Sequence, residues 1–152
     1  MTNFFSFYNQ RRVVTAAVAG TTMMTLYSYV ISLARQKNFK EPVLLDKLIT
    51  RLVPVADTKD SRVTGWAMHY LVGLLFAETY APFWRGAQHV SNAKKGLILG
   101  GFSGIAAILI WKFTLDAHPL PPKVDFVRFA GQLFIAHLVF GLFSALAFNS
   151  AA

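Results

Sequence analysis

Long apolar runs that contain at most one charged residue are the feature of this sequence that most constrains its fold. A helix that crosses a bilayer needs about 20 apolar residues, and four stretches of this chain reach that length: residues 13–34, 63–84, 96–115 and 129–148. Because these runs are continuously apolar rather than alternating, they favour helices over strands. The sequence therefore predicts an all-α membrane protein, with a four-helix transmembrane bundle that forms a single domain over residues 1–152.

The charge composition indicates the same class of protein. Only 14% of the residues are charged and 55% are hydrophobic, whereas a soluble domain usually has about 25% charged residues. The net charge of +8 would favour nucleic-acid binding in a soluble protein. In a chain with these apolar runs, we expect the basic loops to lie against anionic lipid headgroups instead. We therefore expect membrane lipids as partners and no nucleic acid.

The distribution of basic residues predicts an orientation. Four spans place both termini on one side, and ten of the fifteen Lys and Arg residues then fall on the opposite side. The positive-inside rule accordingly places both termini outside and the long first loop in the cytoplasm. We expect a bacterial inner membrane, with an organellar membrane as the alternative.

The first loop contains an amphipathic segment that predicts a helix over residues 42–53. Pro42 suits the first turn of such a helix, and Pro54 suits its end. Five apolar residues fall at helical spacing on one face: Leu44, Leu45, Leu48, Ile49 and Leu52. We interpret the segment as a short interfacial helix on the membrane surface, with a docking helix for a partner protein as the alternative.

The second and fourth spans contain similar stretches that begin with histidine. HYLVGLLFAETYA starts at His69 and HLVFGLFSALAFN starts at His137, and in both a Gly-Leu pair follows after three residues. This echo predicts two helical hairpins of the same orientation, related by a pseudo-twofold axis along the membrane normal. The second and fourth helices of a simple up-down bundle are diagonal neighbours. We therefore expect both histidines to face the bundle centre at similar depth.

The favoured function is that of a small structural or accessory subunit, or a scaffold, without catalysis of its own. Small residues, including Gly20 on the first span and Gly100 and Gly104 on the third, allow close helix packing. Such a protein would contact other membrane subunits or form a homo-oligomer, and bound lipid is expected. The sequence shows no phosphate-binding loop, no nucleophile motif and no useful carboxylate pair. We therefore expect neither an enzyme nor a metal site.

Two alternatives assign a role to the ionisable residues of the spans, which are costly within a membrane and often functional. In the first, His69 and His137 ligate the iron of a b-type haem, and Gly20, Gly100 and Gly104 leave clearance for the porphyrin. This arrangement resembles the haem-binding four-helix core of b-type cytochromes, which implies an electron carrier. In the second, the protein is a small transporter or proton pathway that uses Glu78.

Overall fold

A computed structural model describes the backbone of residues 2–52, 59–86 and 90–151, and the side chains from residue 10 onward except those of residues 59–62. The described residues form five helices and no strand, which confirms the all-α prediction. The helices are α1 (Thr2–Arg35), α2 (Glu41–Leu52), α3 (Lys59–Gly86), α4 (Asn92–Ala117) and α5 (Phe126–Ser150).

Three of these helices are long and apolar enough to cross a membrane, which supports an integral membrane protein. They are Gln10–Arg35 within α1, all of α4 and all of α5. The second predicted span, α3, has 28 residues but is not among the three helices that meet this description. Polar side chains such as His69 and Glu78 lower its hydropathy. A fourth crossing by α3, and with it the four-helix transmembrane bundle, stays a prediction.

The bundle is organised around α5. This helix packs along α1 on one side and along α4 on the other, while α3 packs against α1 and α2. By contrast, α3 approaches α4 and α5 at only a few points. A pseudo-twofold axis would make the pair α1–α5 equivalent to the pair α4–α3, yet the first pair is closely packed and the second is nearly open. The packing of the two predicted hairpins therefore departs from twofold symmetry.

Small residues allow α5 to approach both of its neighbours closely. A Cβ added at Gly100 of α4 would lie 2.5 Å from the carbonyl oxygen of His137 on α5. A Cβ at Gly104 would lie 2.9 Å from the Phe134 ring, and a Cβ at Gly20 of α1 would overlap the hydroxyl of Ser144. The three glycines assigned to porphyrin clearance thus lie directly against α5, which fills the space beside them.

The predicted amphipathic helix corresponds to α2, which docks on the bundle by its N-terminal end. Gln36 adopts a left-handed conformation with φ 49° and reverses the chain after α1. The amide of Phe39 then donates to the Ser32 hydroxyl over 3.0 Å. Pro42 is buried, and Gly65 of α3 lies so close that an added Cβ would be 2.5 Å from the Pro42 carbonyl oxygen. The N-terminal end of α2 is therefore wedged between α1 and α3.

The other end of α2 is held by the loop between α4 and α5. His118 is buried there, and its Nε2–H donates to the Leu48 carbonyl over 3.0 Å. Arg51 donates to the carbonyl oxygens of Leu120 and Pro121 over 3.2 and 2.9 Å. Residue 53 and Pro54, at the predicted end of this helix, lie outside the described residues. The described part of α2 is thus fixed at both ends, whereas its position relative to the membrane surface stays a prediction.

The close approach of α5 to α4 predicts a large difference between two glycines of the same helix. We expect Gly141→Ala to destabilise the protein by about 1–3 kcal/mol, because the new methyl group would overlap the Gly96 carbonyl. Gly131→Ala is the matched control, since its methyl group enters open space and alanine favours a helix by up to about 1 kcal/mol. Reversible unfolding in mild detergent measures both. Equal stabilities of the two variants would contradict this packing.

Candidate functional site

A cavity of about 120 Å³ lies where all five helices meet. Its wall includes Glu41 of α2, His69 and Phe76 of α3, Trp111 of α4, and Leu133 and His137 of α5. Both histidines are buried. The structure therefore brings His69 and His137 into one cavity at the bundle centre, and it adds a carboxyl group from the first loop.

The cavity opens between α3 and α4. Val72 of α3 and Ile110 of α4 belong to its wall, yet they are 39% and 58% exposed. Residues that line a cavity and also reach the outer surface mark its mouth. The mouth coincides with the gap left by the sparse packing of α3 on α4, and the side chains beside it are apolar.

Hydrogen bonds fix the neutral tautomer of His69. Its Nε2 lies 3.0 Å from the hydroxyl oxygen of Thr25 on α1, and that hydroxyl donates to the carbonyl of Thr21 over 2.7 Å. A hydroxyl has a single hydrogen, so Thr25 can only accept from His69. The Nε2 atom therefore carries the proton, and Nδ1 is left as a lone-pair acceptor.

His137 is held in the opposite tautomer. Its Nδ1 lies 2.9 Å from the carbonyl oxygen of Leu133, one turn earlier on α5. A carbonyl only accepts, so Nδ1 carries the proton and Nε2 is the bare nitrogen. The ring stands edge-on to Phe76, with 5.8 Å between the ring centroids. Among the described residues, neither Nε2 of His137 nor Nδ1 of His69 has a hydrogen-bond donor.

Glu41 is the most buried carboxyl group among the described side chains, with 2% of its surface exposed. Its Oε1 accepts from the Ser28 hydroxyl over 2.9 Å and from the Gln132 amide over 3.4 Å, and that amide also donates to Ser28 over 2.7 Å. Its Oε2 has no partner in the described part of the chain. Burial raises the pKa of Glu41 to about 7, against the lowering effect of its own backbone amide, Ser28 and Gln132.

A second unpaired group in the cavity wall comes from α1. Thr21 is fully buried, and its hydroxyl has no hydrogen-bond partner within the described ranges. It lies against Gly73 of α3, where an added Cβ would overlap it. Buried polar groups are normally paired. Unpaired groups from α1 and α2 in the wall of one cavity therefore indicate a place where a bound molecule could supply the missing partners.

Sequence reasoning missed Glu41 and gave weight to Glu78 instead. Glu78 is exposed and is not part of the cavity wall. Glu41 was passed over because it lies in a loop between two predicted spans. A signal was present in the hydroxyl residues Ser28 and Ser32 of α1, which are buried and face the start of α2.

The residues present do not fit a haem in this arrangement. Pockets for drug-sized ligands hold about 300–1,000 Å³, and a porphyrin is at least of that size, whereas this cavity holds about 120 Å³. The space beside Gly20, Gly100 and Gly104 is filled by α5. In the part of the chain that the structure describes, no group of three or more His, Asp or Glu side chains could hold a metal ion.

Comparison with known proteins adds no functional assignment. The chain matches no protein-family model, and neither a curated protein nor a solved structure matches it. The fold and the site alone therefore define the class: an all-helical protein with three candidate membrane-spanning helices and an apolar internal cavity with a few buried polar groups. Its function has to be argued from the chemistry of that cavity.

The hydrogen bonds of the two histidines predict opposite tautomers. In ¹⁵N spectra of protein labelled at the histidine rings, we expect His69 protonated at Nε2 and His137 protonated at Nδ1 at neutral pH. Thr25→Val removes the hydroxyl that holds His69 and should loosen only that tautomer, with His137 as the internal control. The same tautomer at both sites would contradict the hydrogen-bond network.

The buried carboxyl of Glu41 predicts a contribution to stability that falls with rising pH. Its pKa is about 7 in the folded protein and ordinarily near 4.5, so between these values the folded state binds more protons than the unfolded state. The contribution of Glu41 to the free energy of unfolding should therefore fall by up to about 3 kcal/mol across that interval. The contribution is fully present below pH 4.5 and is lost as the pH rises through 7.

Two glutamine variants test this pH dependence. Glu41→Gln cannot ionise, so the free energy of unfolding of the wild type relative to this variant should fall by the same amount across the same interval. Glu78→Gln neutralises an exposed carboxyl group and serves as the control for the loss of one carboxyl charge. Unfolding curves in one detergent at a series of pH values provide the measurement. A difference between the wild type and Glu41→Gln that stays constant with pH would contradict the raised pKa of Glu41.

Proposed function

We propose that this chain is a non-catalytic integral membrane protein that crosses the bilayer four times and binds a small amphiphilic molecule in its central cavity. The observation that carries the proposal is the cavity itself. Its wall is largely apolar, and it contains a few buried polar groups without partners. A well-formed apolar pocket with a few convergent polar groups is typical of small-molecule sites.

The arrangement of side chains on α3 supports a fourth crossing. Its 28 residues exceed the roughly 20 that a bilayer requires. The polar residues that lower its hydropathy include His69 and Tyr80, which are buried within the bundle. Its exposed residues include Leu71 and Leu75. Apart from the exposed Glu78, the polar groups of α3 named here are buried, as a transmembrane helix needs even where its mean hydropathy is modest.

The position of the mouth supports delivery of the ligand from the bilayer. Val72 and Ile110 lie on the outer faces of α3 and α4, which would face lipid if both helices cross the membrane. A molecule dissolved among the acyl chains could then enter sideways without passing through water. The sparse contact between these two helices makes this side of the bundle the least costly to open.

The geometry gives less support to the other candidate functions. A proton pathway through Glu78 lacks a connection, because Glu78 is exposed and lies outside the cavity wall. The accessory-subunit role stays a prediction. Exposed aromatic residues on α4, such as Phe102 and Phe113, suit a lipid environment as well as a partner helix. Both termini outside, and a bacterial inner membrane, also stay predictions.

Methionine methyl groups offer a direct test of ligand binding. Met24 lines the cavity and is buried, whereas Met68 is 41% exposed on α3 and lies outside the cavity wall. In protein labelled with ¹³C at the methionine methyl groups and held in lipid nanodiscs, toluene or phenol should shift the Met24 signal in a saturable manner. Met68 reports the partition of each probe into lipid. Absence of a saturable Met24 shift with both probes would overturn the proposed site.

A pair of tryptophan variants tests the entry route. Val72→Trp places a bulky ring at the mouth and should slow or abolish probe binding at Met24. Leu71→Trp is the control, because Leu71 is exposed on the same helix but is not part of the cavity wall. Equal binding by the two variants would show that the probe enters elsewhere.

A further inference from the structure

The hydrogen bonds around the cavity show which atoms of its wall are still able to bond a ligand. His69 donates through Nε2 to Thr25, and His137 donates through Nδ1 to Leu133. Each neutral ring therefore has no donor left to offer. The remaining nitrogens, Nδ1 of His69 and Nε2 of His137, can only accept. Each of these two nitrogens of the cavity wall can therefore accept a hydrogen bond from a ligand.

The Thr21 hydroxyl is a further unpaired group of the wall, and it can donate to an acceptor on the ligand. The Thr21 hydroxyl can donate one hydrogen and accept others, and no described residue pairs with it. The unpaired Oε2 of Glu41 accepts when the carboxyl is ionised and can donate when it is protonated. A ligand group that both donates and accepts can therefore pair with each of these atoms.

We propose that the cavity selects molecules that carry a hydroxyl group on a compact apolar body, such as phenols and small alcohols. A hydroxyl donates to a bare imidazole nitrogen and accepts from Thr21. This inference rests on the proposed function, because it specifies the ligand class of the same site.

Other common head groups pair less completely with this wall. A carbonyl or ether oxygen accepts only, so it would leave both imidazole nitrogens unpaired. An ammonium donates only, so it could not accept from Thr21 and would have to be desolvated among apolar side chains. A carboxylate would face the bare nitrogens and Glu41 with lone pairs alone. A hydroxyl group donates to one of the two bare nitrogens and also accepts from Thr21, so it pairs more completely with this wall than these head groups do.

The size of the cavity limits the body of the ligand to about one aromatic ring. An engineered apolar cavity of about 150 Å³ in another protein binds benzene, and this cavity holds about 120 Å³. Phe76 and Phe140 belong to its wall and offer ring faces and edges for aromatic contact. A longer apolar tail would have to leave through the mouth at Val72 and Ile110.

Phenol and anisole form a matched pair of probes, because anisole replaces the hydroxyl hydrogen with a methyl group. The test measures apparent dissociation constants from the Met24 methyl signal in nanodiscs and expresses selectivity as the anisole-to-phenol ratio. Comparing this ratio between variants cancels the different partition of the two probes into lipid. Thr21→Val removes an unpaired hydroxyl at nearly constant shape, and His137→Phe keeps a ring but removes its nitrogens.

Thr114→Val is the control variant. Thr114 also lines the cavity, but its hydroxyl already donates to the Ile110 carbonyl over 2.8 Å. We expect the anisole-to-phenol ratio to fall about five- to tenfold in His137→Phe or in its counterpart His69→Phe, whichever ring accepts the single hydroxyl hydrogen, as for the loss of one hydrogen bond. Thr21→Val should weaken both probes alike and leave this ratio unchanged, because the ether oxygen of anisole also accepts from Thr21. The ratio should stay at the wild-type value in Thr114→Val.

The possible outcomes separate this inference from the proposed function. Saturable binding of both probes with the same ratio in all variants would overturn hydroxyl selection and leave the binding site intact. A Met24 signal that neither probe shifts would overturn the binding site and the inference together. If a histidine variant does not fold, the methionine spectrum will show it. The toluene-to-phenol ratio then decides the question, because toluene cannot accept from Thr21: this ratio should fall in Thr21→Val and stay constant in Thr114→Val.

Discussion

The close approach of α5 to α4 and α1 is the contact on which the rest of the structure depends. Apolar side chains gain little from meeting one another inside a bilayer, because lipid tails are equally apolar. Helices there associate through van der Waals packing, which requires small residues at the contact. Gly96, Gly100 and Gly141 provide this seam between α4 and α5, and Gly20 and Ser144 provide it between α1 and α5. Because α5 already packs closely on α4 and α1, α3 contacts α4 at only a few points. A gap therefore remains between α3 and α4.

Polar groups then decide what this gap contains. The hydroxyls of α1 form two separate networks, one with His69 and one with Glu41. These bonds occupy Nε2 of His69 and Oε1 of Glu41. They leave Nδ1 of His69 and Oε2 of Glu41 without partners among the described residues. The cavity is therefore bordered by atoms whose orientation is already fixed by the surrounding helices. Such preorganisation lowers the cost of binding a molecule that offers the right partners.

The sequence indicated much of this fold because hydropathy is a property of contiguous residues. The apolar runs predicted α1, α4 and α5, and the leucine face predicted α2 to within one residue at its start. The echo between His69 and His137 placed both rings at the bundle centre, where the structure has them. Glu41 escaped because its partners, Ser28 and Gln132, lie 13 and 91 residues away and meet it only after folding. The asymmetry of the bundle escaped because similar helix sequences do not show which faces will pack most closely.

The attachment of α3 to the other helices has a consequence for the cavity itself. Two close contacts help to set its position, one at Gly65 against α2 and one at Gly73 against α1. They are eight residues apart, or about 12 Å along the helix axis. Any side chain at either position would act as a spacer that pushes α3 outward. The absence of two methyl groups therefore keeps α3 close to α1 and α2. A side chain at Gly65 would alter the internal volume from outside the cavity wall, whereas a side chain at Gly73 would displace the Thr21 hydroxyl that lines the cavity.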